Sequence, residues 1–421
     1  MKKLRVGGSV RAASDKSISH RALMLAAVSK GKTRISHILP SDDVRSTAAA
    51  LRALGAAIPP LSDEFFVTGQ SARFLKTPAD ALDCGNSGTT ARLMSGVVAG
   101  AGVTAKFIGD ASLSRRPMRR VTEPLREMGA GVSLAEGGGL PMTIFGAPLR
   151  AIEWTSPVAS AQIKSAIILA AVLAGVRAVV TEPHRSRDHT ERMLGARGVH
   201  VRVNGNRVEV DPGQIVRPAD VAVPADPSAA AYFVALALLA GAGELRLTDV
   251  CLNPTRTGFY SALKRMGADI EFEDRREEGG DVVGTIVARP SILRAVDIAA
   301  DEVPSMIDEL PLLACLASRA DGVTTVRGAA ELRVKESDRI ATIVTSLNKL
   351  GATASELADG FTVSGSNAVL EGEVDPRADH RIAMSFGILA RVAGNEIAIT
   401  DRECVSVSFP GFWDAISAAT Q

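Results

Sequence analysis

The sequence has few of the residue types that mark several classes of protein. Only 4% of its 421 residues are aromatic, so surfaces for stacking bases are scarce and a binder of single-stranded nucleic acid is disfavoured. The formal net charge is +1, which argues against a broad polyanion-binding face. The four cysteines (Cys84, Cys251, Cys315 and Cys404) form no C-x-x-C pair, and this pattern is typical of reduced thiols in a cytosolic protein.

Long apolar segments are missing as well. The longest apolar run, from Ala229 to Ala242, is too short to span a bilayer and is typical of a buried helix. The basic start Met1–Arg5 resembles the first part of a secretory signal, but Val6–Ser9 supplies no apolar continuation. We therefore expect a soluble, cytoplasmic protein with neither a membrane nor a nucleic acid as partner.

Motifs for cofactors and metals are not found either. Gly31-Lys32-Thr33 resembles the end of a P-loop, but Ala26 stands where the first glycine would be. No G-x-G-x-x-G opens a dinucleotide-binding unit, and no H-E-x-x-H or G-x-S-x-G occurs. We interpret His184 and His189 as a surface pair and not as metal ligands. The sequence thus predicts neither a metal nor a cofactor.

What the sequence does contain is an internal repeat. An Ala/Leu-rich helical segment with a small or polar start is followed by a glycine and a short β-branched strand, and this pattern occurs six times. The glycines of the six copies are 68 to 79 residues apart and are Gly31, Gly102, Gly175, Gly243, Gly322 and Gly394. Five segments of the LRALGAAI type lie between the copies, and each predicts a helix end, a glycine cap and a strand. A hairpin strand such as FFVTG or MTIFG follows each of them.

The repeat predicts the architecture. Six units of helix, strand, helix, strand and strand make two domains of three units each. Because the repeated helices are apolar almost all round, we expect them inside, with the sheets outside. The fold class is therefore α/β, with two domains of three repeats each, inward helices and outward sheets. The predicted limits are residues 14–226 for the N-terminal domain, and residues 1–13 plus 227–421 for a discontinuous C-terminal domain.

Charged residues gather at the starts of the repeated helices. The unpaired N–H groups of several helix starts facing one cleft would bind highly anionic ligands. Capping explains serine, aspartate and asparagine at such positions, but it does not explain Lys16, Arg21 and Arg381, because cations oppose the helix dipole there. Further basic clusters occur in segments 109–118, 185–189 and 332–339 and favour phosphate recognition. If the third segment were helical, Lys335 and Arg339 would share one face.

Six segments resemble the signature stretches of the 5-enolpyruvylshikimate-3-phosphate (EPSP) synthase family. They are SDKSISHRA, GNSGTTAR, SRRPM, SAQIKSA, LRVKESDRI and DHRIAM, in family order across nearly the whole chain. The resemblance implies a two-domain inside-out α/β barrel with three βαβαββ repeats in each domain, in agreement with the repeat. It also implies the transfer of the enolpyruvyl group of phosphoenolpyruvate to shikimate 3-phosphate, without a cofactor. It also implies inhibition by glyphosate, and we expect a monomer. Val407 and Leu93 stand where better-known members have lysine and proline, so we place the chain in a divergent bacterial branch.

The resemblance also implies the site residues. Those for shikimate 3-phosphate are Lys16, Ser17, Arg21, Ser160, Ala161, Gln162, Arg187, Asp308 and Lys335. Those for phosphoenolpyruvate are Lys16, Gly88, Arg116, Gln162, Arg339 and Arg381. The catalytic set is Asp308, Glu336, Lys16 and Lys335, in which Asp308 is the candidate base, alone or with Lys16, and Glu336 is the candidate acid. Because the cations come from both predicted domains, we expect the ligands to draw the domains together.

Three alternatives fit the sequence less well. The sister enzyme that transfers enolpyruvyl to UDP-N-acetylglucosamine has a loop cysteine five residues before an Arg-Pro pair, where this chain has Ala111. A binding protein with an inactive site would be expected to lose Asp308, Lys335 or Glu336, yet all three are present. A nucleic-acid-end-processing enzyme of related architecture is disfavoured by the low aromatic content and the near-zero net charge.

Overall fold

The computed structural model describes residues 4–420, in which short strands alternate with helices. The helices are α1 (Lys16–Val28), α2 (Asp42–Ala53), α3 (Gly88–Ala101), α4 (Ala111–Arg115), α5 (Arg119–Glu127), α6 (Ala161–Ala174), α7 (His189–Gly195), α8 (Pro227–Leu239), α9 (Gly258–Arg265), α10 (Leu310–Ala317), α11 (Arg339–Lys349), α12 (His380–Leu389) and α13 (Phe412–Ala418). The strands are β1 (Arg5–Val10), β2 (Lys30–Ser36), β3 (Glu64–Gln70), β4 (Leu82–Asp83), β5 (Ala105–Ile108), β6 (Gly131–Leu134), β7 (Met142–Phe145), β8 (Ile152–Thr155), β9 (Ala178–Thr181), β10 (Val201–Asn204), β11 (Arg207–Val210), β12 (Val221–Ala222), β13 (Ala242–Cys251), β14 (Asp269–Glu278), β15 (Asp281–Arg289), β16 (Asp297–Ile298), β17 (Val323–Val326), β18 (Thr353–Leu357), β19 (Gly360–Ser364), β20 (Glu371–Val374) and β21 (Glu396–Ile399).

These elements form two compact units, which we call the N unit and the C unit. The N unit contains residues 14–223 and the turn at 277–281, and the C unit contains the described parts of 1–13, 224–276 and 282–421. Residues 1–3 and 421, which the predicted C-terminal domain includes, lie outside the described residues. The division into two domains with limits at 14–226 and 227–421 stays a prediction.

Each unit contains three sheets, one for each predicted repeat. The strand orders are β12-β2-β3, β4-β5-β7-β6 and β10-β11-β9-β8 in the N unit, and β1-β13-β15-β14, β16-β17-β19-β18 and β20-β21 in the C unit. In the second sheet of the N unit, β4 pairs parallel with β5, and β5 and β6 both pair antiparallel with β7. The parallel pair joined by a helix, followed by a hairpin, is the predicted βαβαββ unit.

The repeated helices are buried on nearly all faces, which confirms the predicted inside-out arrangement. In α8, every residue from Pro227 to Leu238 is buried. Helices α3 and α6 pack closely because Gly96 has no side chain: a Cβ there would lie 2.3 Å from the carbonyl oxygen of Ala166. In the part of the chain that the structure describes, no helix has the length and apolar character needed to cross a membrane.

Side-chain caps mark the starts of four of the repeated helices, α1, α3, α8 and α12. Asp15 accepts a hydrogen bond from the backbone N–H of Ile18 at 2.8 Å, and Ser87 accepts one from Thr90 at 3.1 Å. Asp379 caps α12 in the same way. These caps satisfy N–H groups that the helix leaves without an internal partner, so the charged residues that follow them have defined positions at the helix starts.

Two repeats are shorter than predicted. The segment after Gly55, predicted as a strand, forms none across residues 56–60. Pro59 and Pro60 follow directly, and proline has no N–H to donate to a neighbouring strand. The last sheet consists of β20 and β21, which pair in parallel.

Candidate active site

The structure places the predicted site residues in two sets, one in each unit. The N unit contains Lys16, Ser17, Arg21, Gly88, Arg116, Ser160, Ala161, Gln162 and Arg187. The C unit contains Asp308, Lys335, Glu336, Arg339 and Arg381.

In the C unit, carboxylates surround the guanidinium of Arg339, the first residue of α11. Its Nε donates to Oδ2 of Asp379 at 2.8 Å, and its Nη2 donates to Oε2 of Glu336 at 2.7 Å. Its Nη1 lies 3.5 Å from Oδ1 of Asp308. Burial alone would lower the pKa of Arg339, but the charges of Asp379 and Glu336 outweigh burial and hold the pKa above its ordinary value. Arg339 is therefore a fixed cation that positions the catalytic candidates Asp308 and Glu336.

Asp308 joins this arginine to the predicted catalytic lysine. The Nζ of Lys335 lies 3.6 Å from Oδ1 of Asp308. The two cations do not share a helix face, as the i,i+4 spacing would have placed them. Lys335 follows a 3-10 turn at Ala330–Val334 with extended backbone, and α11 begins only at Arg339. They approach the same carboxylate because the chain bends between them, and about a third of the Lys335 side chain remains exposed.

Arg381 is a second buried cation of the C unit. It follows the cap of α12, and its Nη1 lies 3.9 Å from Oε1 of Glu309. Burial would lower its pKa, but Tyr232 and the carboxylate of Asp308 outweigh burial and raise the pKa above its usual value. A buried guanidinium that keeps its charge is suited to bind a phosphate or carboxylate.

In the N unit, α1 carries two cations with different partners. The Nζ of Lys16 lies 2.9 Å from Oδ2 of Asp43, and 22% of the lysine side chain is exposed. Arg21 is buried: its Nε donates to Oγ1 of Thr190 at 2.7 Å and its Nη2 to Oγ of Ser165 at 2.8 Å. The backbone of Ser17 accepts from Nη1 of Arg21. Lys16 is thus accessible to a ligand, whereas Arg21 is held in one orientation.

His20, between these cations, is buried and uncharged. Its Nδ1 lies 2.7 Å from Oγ1 of Thr47, and Thr47 in turn contacts Thr90 at 2.7 Å. Burial lowers its pKa to about 3, with the charges of Lys16 and Arg21 acting in the same direction and Asp43 opposing them. The ring therefore supports α1 as a neutral hydrogen-bonding group.

The start of α3 brings several predicted residues together. Arg92 donates from Nη1 to Oε1 of Gln162 at 2.8 Å, and Nη2 of Arg116 donates to Oδ1 of Asn86 at 2.7 Å. Gly88 lies between these groups. A Cβ on Gly88 would be 2.8 Å from Nη1 of Arg92 and 3.5 Å from Nη1 of Arg116, so the absent side chain allows the guanidinium group of Arg92 to lie close to the start of α3.

Ser160, Ala161 and Arg187 lie at the start of α6 and in the loop before α7. Ser160 precedes the helix, and its backbone N–H donates to Oε1 of Glu182 at 3.0 Å. Ala161 is the first residue of α6. Arg187 is partly exposed, next to the buried Asp188. The segment therefore combines a rigid helix start with an accessible arginine.

Several side chains around these residues were missed from the sequence. Asp379 and Arg92 were within quoted segments, but their partners could not be read from spacing. Asp43, the partner of Lys16, belongs to none of the family-like segments, and no sequence signal identified it. His189 was wrongly interpreted as a surface residue: it is buried, with Nδ1 2.9 Å from Oδ2 of Asp281. The turn at 277–281, distant in sequence, supplies that partner.

Comparisons with known proteins identify the family of the chain. Residues 1–416 match the family model for EPSP synthase (3-phosphoshikimate 1-carboxyvinyltransferase). The chain is 46% identical to the 3-phosphoshikimate 1-carboxyvinyltransferase of Aquifex aeolicus over 98% of this chain and 97% of that protein. It is also 46% identical to that of Gloeobacter violaceus, over 99% and 97%. The fold superposes on an EPSP synthase from Acinetobacter baumannii with a TM-score of 0.88 and 38% identity, over 99% of this chain and 96% of that one. The chain therefore belongs to the EPSP synthase family.

Proposed function

We propose that the protein transfers the enolpyruvyl group of phosphoenolpyruvate to the 5-hydroxyl of shikimate 3-phosphate. The products are 5-enolpyruvylshikimate 3-phosphate and phosphate, a step of the shikimate pathway to aromatic amino acids. The observation that carries the proposal is the grouping of Asp308 and Glu336 around Arg339, with Lys335 beside Asp308, in a chain of this family. That grouping offers acid–base groups and fixed positive charge in one place.

The chemistry assigns a role to each catalytic candidate. In the first step the 5-hydroxyl attacks C2 of phosphoenolpyruvate and gives up its proton, while C3 gains a proton to become a methyl group. In the second step the tetrahedral intermediate loses phosphate and one C3 proton. Asp308, with or without Lys16, is proposed as the base for the hydroxyl. Glu336 is proposed to give the proton to C3 and to take it back.

The cations compensate the negative charge of the substrates, each of which carries a phosphate and a carboxylate. Burying such groups without partners is prohibitively costly. We propose that shikimate 3-phosphate is bound by Lys16, Ser17, Arg21, Ser160, Ala161, Gln162, Arg187, Asp308 and Lys335. We propose that phosphoenolpyruvate is bound by Lys16, Gly88, Arg116, Gln162, Arg339 and Arg381. The buried, hydrogen-bonded states of Arg21 and Arg339 support these roles, since an oriented cation loses little freedom on binding.

The sister reaction with UDP-N-acetylglucosamine receives no support. Ala111, the position of the sister enzyme's reactive cysteine, is the first residue of α4. Cys84 is the one cysteine among residues 14–223. It is fully buried, and burial together with Asp83 raises its pKa to about 12, so its thiol stays protonated. Inhibition by glyphosate, a cytoplasmic location and a monomeric state are proposals that accompany the assignment, as is a ligand-induced closure.

The deciding experiment is an assay of phosphate release from phosphoenolpyruvate. We expect release with shikimate 3-phosphate and only background release without an acceptor or with UDP-N-acetylglucosamine. Phosphate release with UDP-N-acetylglucosamine but not with shikimate 3-phosphate would overturn the assignment.

A further inference from the structure

The N unit contains a fully buried lysine that the proposed mechanism does not use. Lys164, on the first turn of α6, is 1% exposed. Its Nζ lies 2.8 Å from Oε2 of Glu182 and 2.9 Å from Oε1 of Glu191. Both carboxylates are themselves buried. Burial alone would lower the pKa of Lys164, but Glu191 and Glu182 outweigh burial and keep the pKa above its ordinary value.

One of these carboxylates holds the two segments that carry substrate-binding candidates. Glu182 accepts the backbone N–H of Ser160 at 3.0 Å, just before α6. It also accepts the hydroxyl of Ser186 at 2.6 Å and the backbone N–H of Ser186 at 3.3 Å. Ser186 is the residue before Arg187. The carboxylate therefore ties the start of α6 to the loop before α7 at the residues next to the proposed ligand contacts.

The other carboxylate joins the helices that orient Arg21. Glu191 is on α7, and its neighbour Thr190 accepts from Nε of Arg21. On α6 the neighbour of Lys164 is Ser165, which accepts from Nη2 of Arg21. The hydroxyls of Ser165 and Thr190 are 2.7 Å apart. The ion pair of Lys164 with Glu191 thus lies one residue away, on both helices, from the hydroxyls that orient the arginine.

Stability alone is a poor reason for such a network. A buried ion pair gains little over apolar residues of similar volume, because its charges must be removed from water. What the network provides here is geometry, since ion pairs join one ammonium group to a carboxylate beside each of the two proposed contact regions. Supporting hydrogen bonds of this kind are how proteins hold a binding residue in its productive orientation.

We propose that Lys164 is a positioning residue for shikimate 3-phosphate. Through Glu182 it fixes Ser160 and the loop that carries Arg187. Through Glu191 it fixes the pair of hydroxyls that orient Arg21. The inference rests on the proposed function, because it assigns the network to the binding of one of the two substrates of that reaction.

The test compares two disruptive variants and one restoring variant with a matched control. Lys164→Gln removes the ammonium group, and Ser186→Ala removes one donor to Glu182 without changing any charge. Ser186→Thr restores a hydroxyl. Arg197→Met is the control: Arg197 is a buried cation of the same unit whose Nη1 and Nη2 bond the backbone carbonyls of Met193 and Ala219. The measurements are KM for each substrate, kcat, the Kd of shikimate 3-phosphate by calorimetry, and Tm.

We expect Ser186→Ala to raise KM and Kd for shikimate 3-phosphate roughly fivefold, the factor equivalent to about 1 kcal/mol for one hydrogen bond. KM for phosphoenolpyruvate should change less than about twofold, and Ser186→Thr should restore much of the affinity. Lys164→Gln should act in the same direction and more strongly. Arg197→Met should lower Tm without separating the two KM values.

Equal changes in both KM values, or a lower Tm with unchanged kinetics, would reduce the network to a structural role and overturn the proposal. If Lys164→Gln does not fold, Ser186→Ala decides, because it leaves the ion pairs in place. An unaltered protein that is inactive with both substrates would refute the proposed function. An active protein whose variants fail to discriminate between the substrates would refute only the role of Lys164.

Discussion

The Nε of Arg339 donates to Oδ2 of Asp379 at 2.8 Å, and the side chain of Asp379 is completely closed to solvent. The same carboxylate accepts the backbone N–H of Arg381 at 3.0 Å and so caps α12. One aspartate therefore orients the guanidinium of Arg339 and the backbone of Arg381, which are both proposed to bind phosphoenolpyruvate.

Asp379→Asn should separate these two roles. Asparagine still caps a helix, but it leaves Arg339 with less compensating charge. We expect the free energy of unfolding to fall by about 3 kcal/mol, the scale for breaking a buried ion pair. KM for phosphoenolpyruvate should rise more than KM for shikimate 3-phosphate. Asp338→Asn is the control, because Asp338 caps α11 but is a third exposed, and it should cost at most about 1 kcal/mol. Urea unfolding and steady-state kinetics check both, and equal effects of the two variants would contradict the argument.

Asp308→Asn and Glu336→Gln should each lower kcat about 10²- to 10⁴-fold, the range for losing a positioned acid or base. KM for phosphoenolpyruvate should stay within about threefold, since Arg339 keeps its buried partner Asp379 in both variants. Glu356→Gln, an exposed partner of Arg333, is the control. A kcat within about fivefold of the unaltered protein for either active-site variant would remove that residue from the mechanism.

Gly88→Ala should distinguish glyphosate from phosphoenolpyruvate. The added Cβ would lie 2.8 Å from Nη1 of Arg92, so the arginine must shift and the space beside it narrows. Because glyphosate is longer than the substrate, its inhibition constant should rise far more than KM for phosphoenolpyruvate. Gly195→Ala is the control, since a Cβ there meets nothing within 4 Å. Equal changes in the two constants would show that Gly88 does not select between the ligands.

His20 should make the folded protein sensitive to acid. The unfolded chain takes up this proton near pH 6.5, whereas the folded protein takes it up only near pH 3. Between these values the unfolded state binds one more proton, so this group lowers stability as pH falls, by about 1.4 kcal/mol per pH unit. We expect the free energy of unfolding of His20→Gln, measured with urea between pH 6 and pH 4, to depend less steeply on pH by that amount than that of the unaltered protein. A difference between His20→Gln and the unaltered protein that is independent of pH would exclude His20 as the origin.

The internal repeat could be recognised from the sequence because its helices are apolar on every side and each ends close to a glycine. Gly102 and Gly175 illustrate this: both cap their helices in the left-handed conformation, which glycine adopts without strain. The missing strand after Gly55 could also have been anticipated, since Pro59 and Pro60 are visible in the sequence. The propensity of one short segment was outweighed there by the lack of N–H donors.

The candidate active site could be predicted only in part from the sequence, because spacing along a chain does not determine which side chains contact each other. Lys335 and Arg339 share the partner Asp308 through a bend that helical periodicity cannot represent. Asp43 contacts Lys16 from α2, and Asp281 reaches His189 from a turn more than ninety residues away. Such partners arise from tertiary packing, so a sequence can supply the charged residue but not the carboxylate that orients it.

The parallel pairing of β1 with β13, in which Val6 lies opposite Gly243, has a consequence for biosynthesis. During translation the first strand must wait until more than two hundred further residues have left the ribosome before its backbone can hydrogen-bond to its neighbour. For that interval it is a solitary β-segment that could add to another chain. In this segment, RVGGSVR, the two central glycines have low strand propensity. The flanking arginines carry positive charge. Both features disfavour pairing of the nascent segment with other chains before its own sheet has formed.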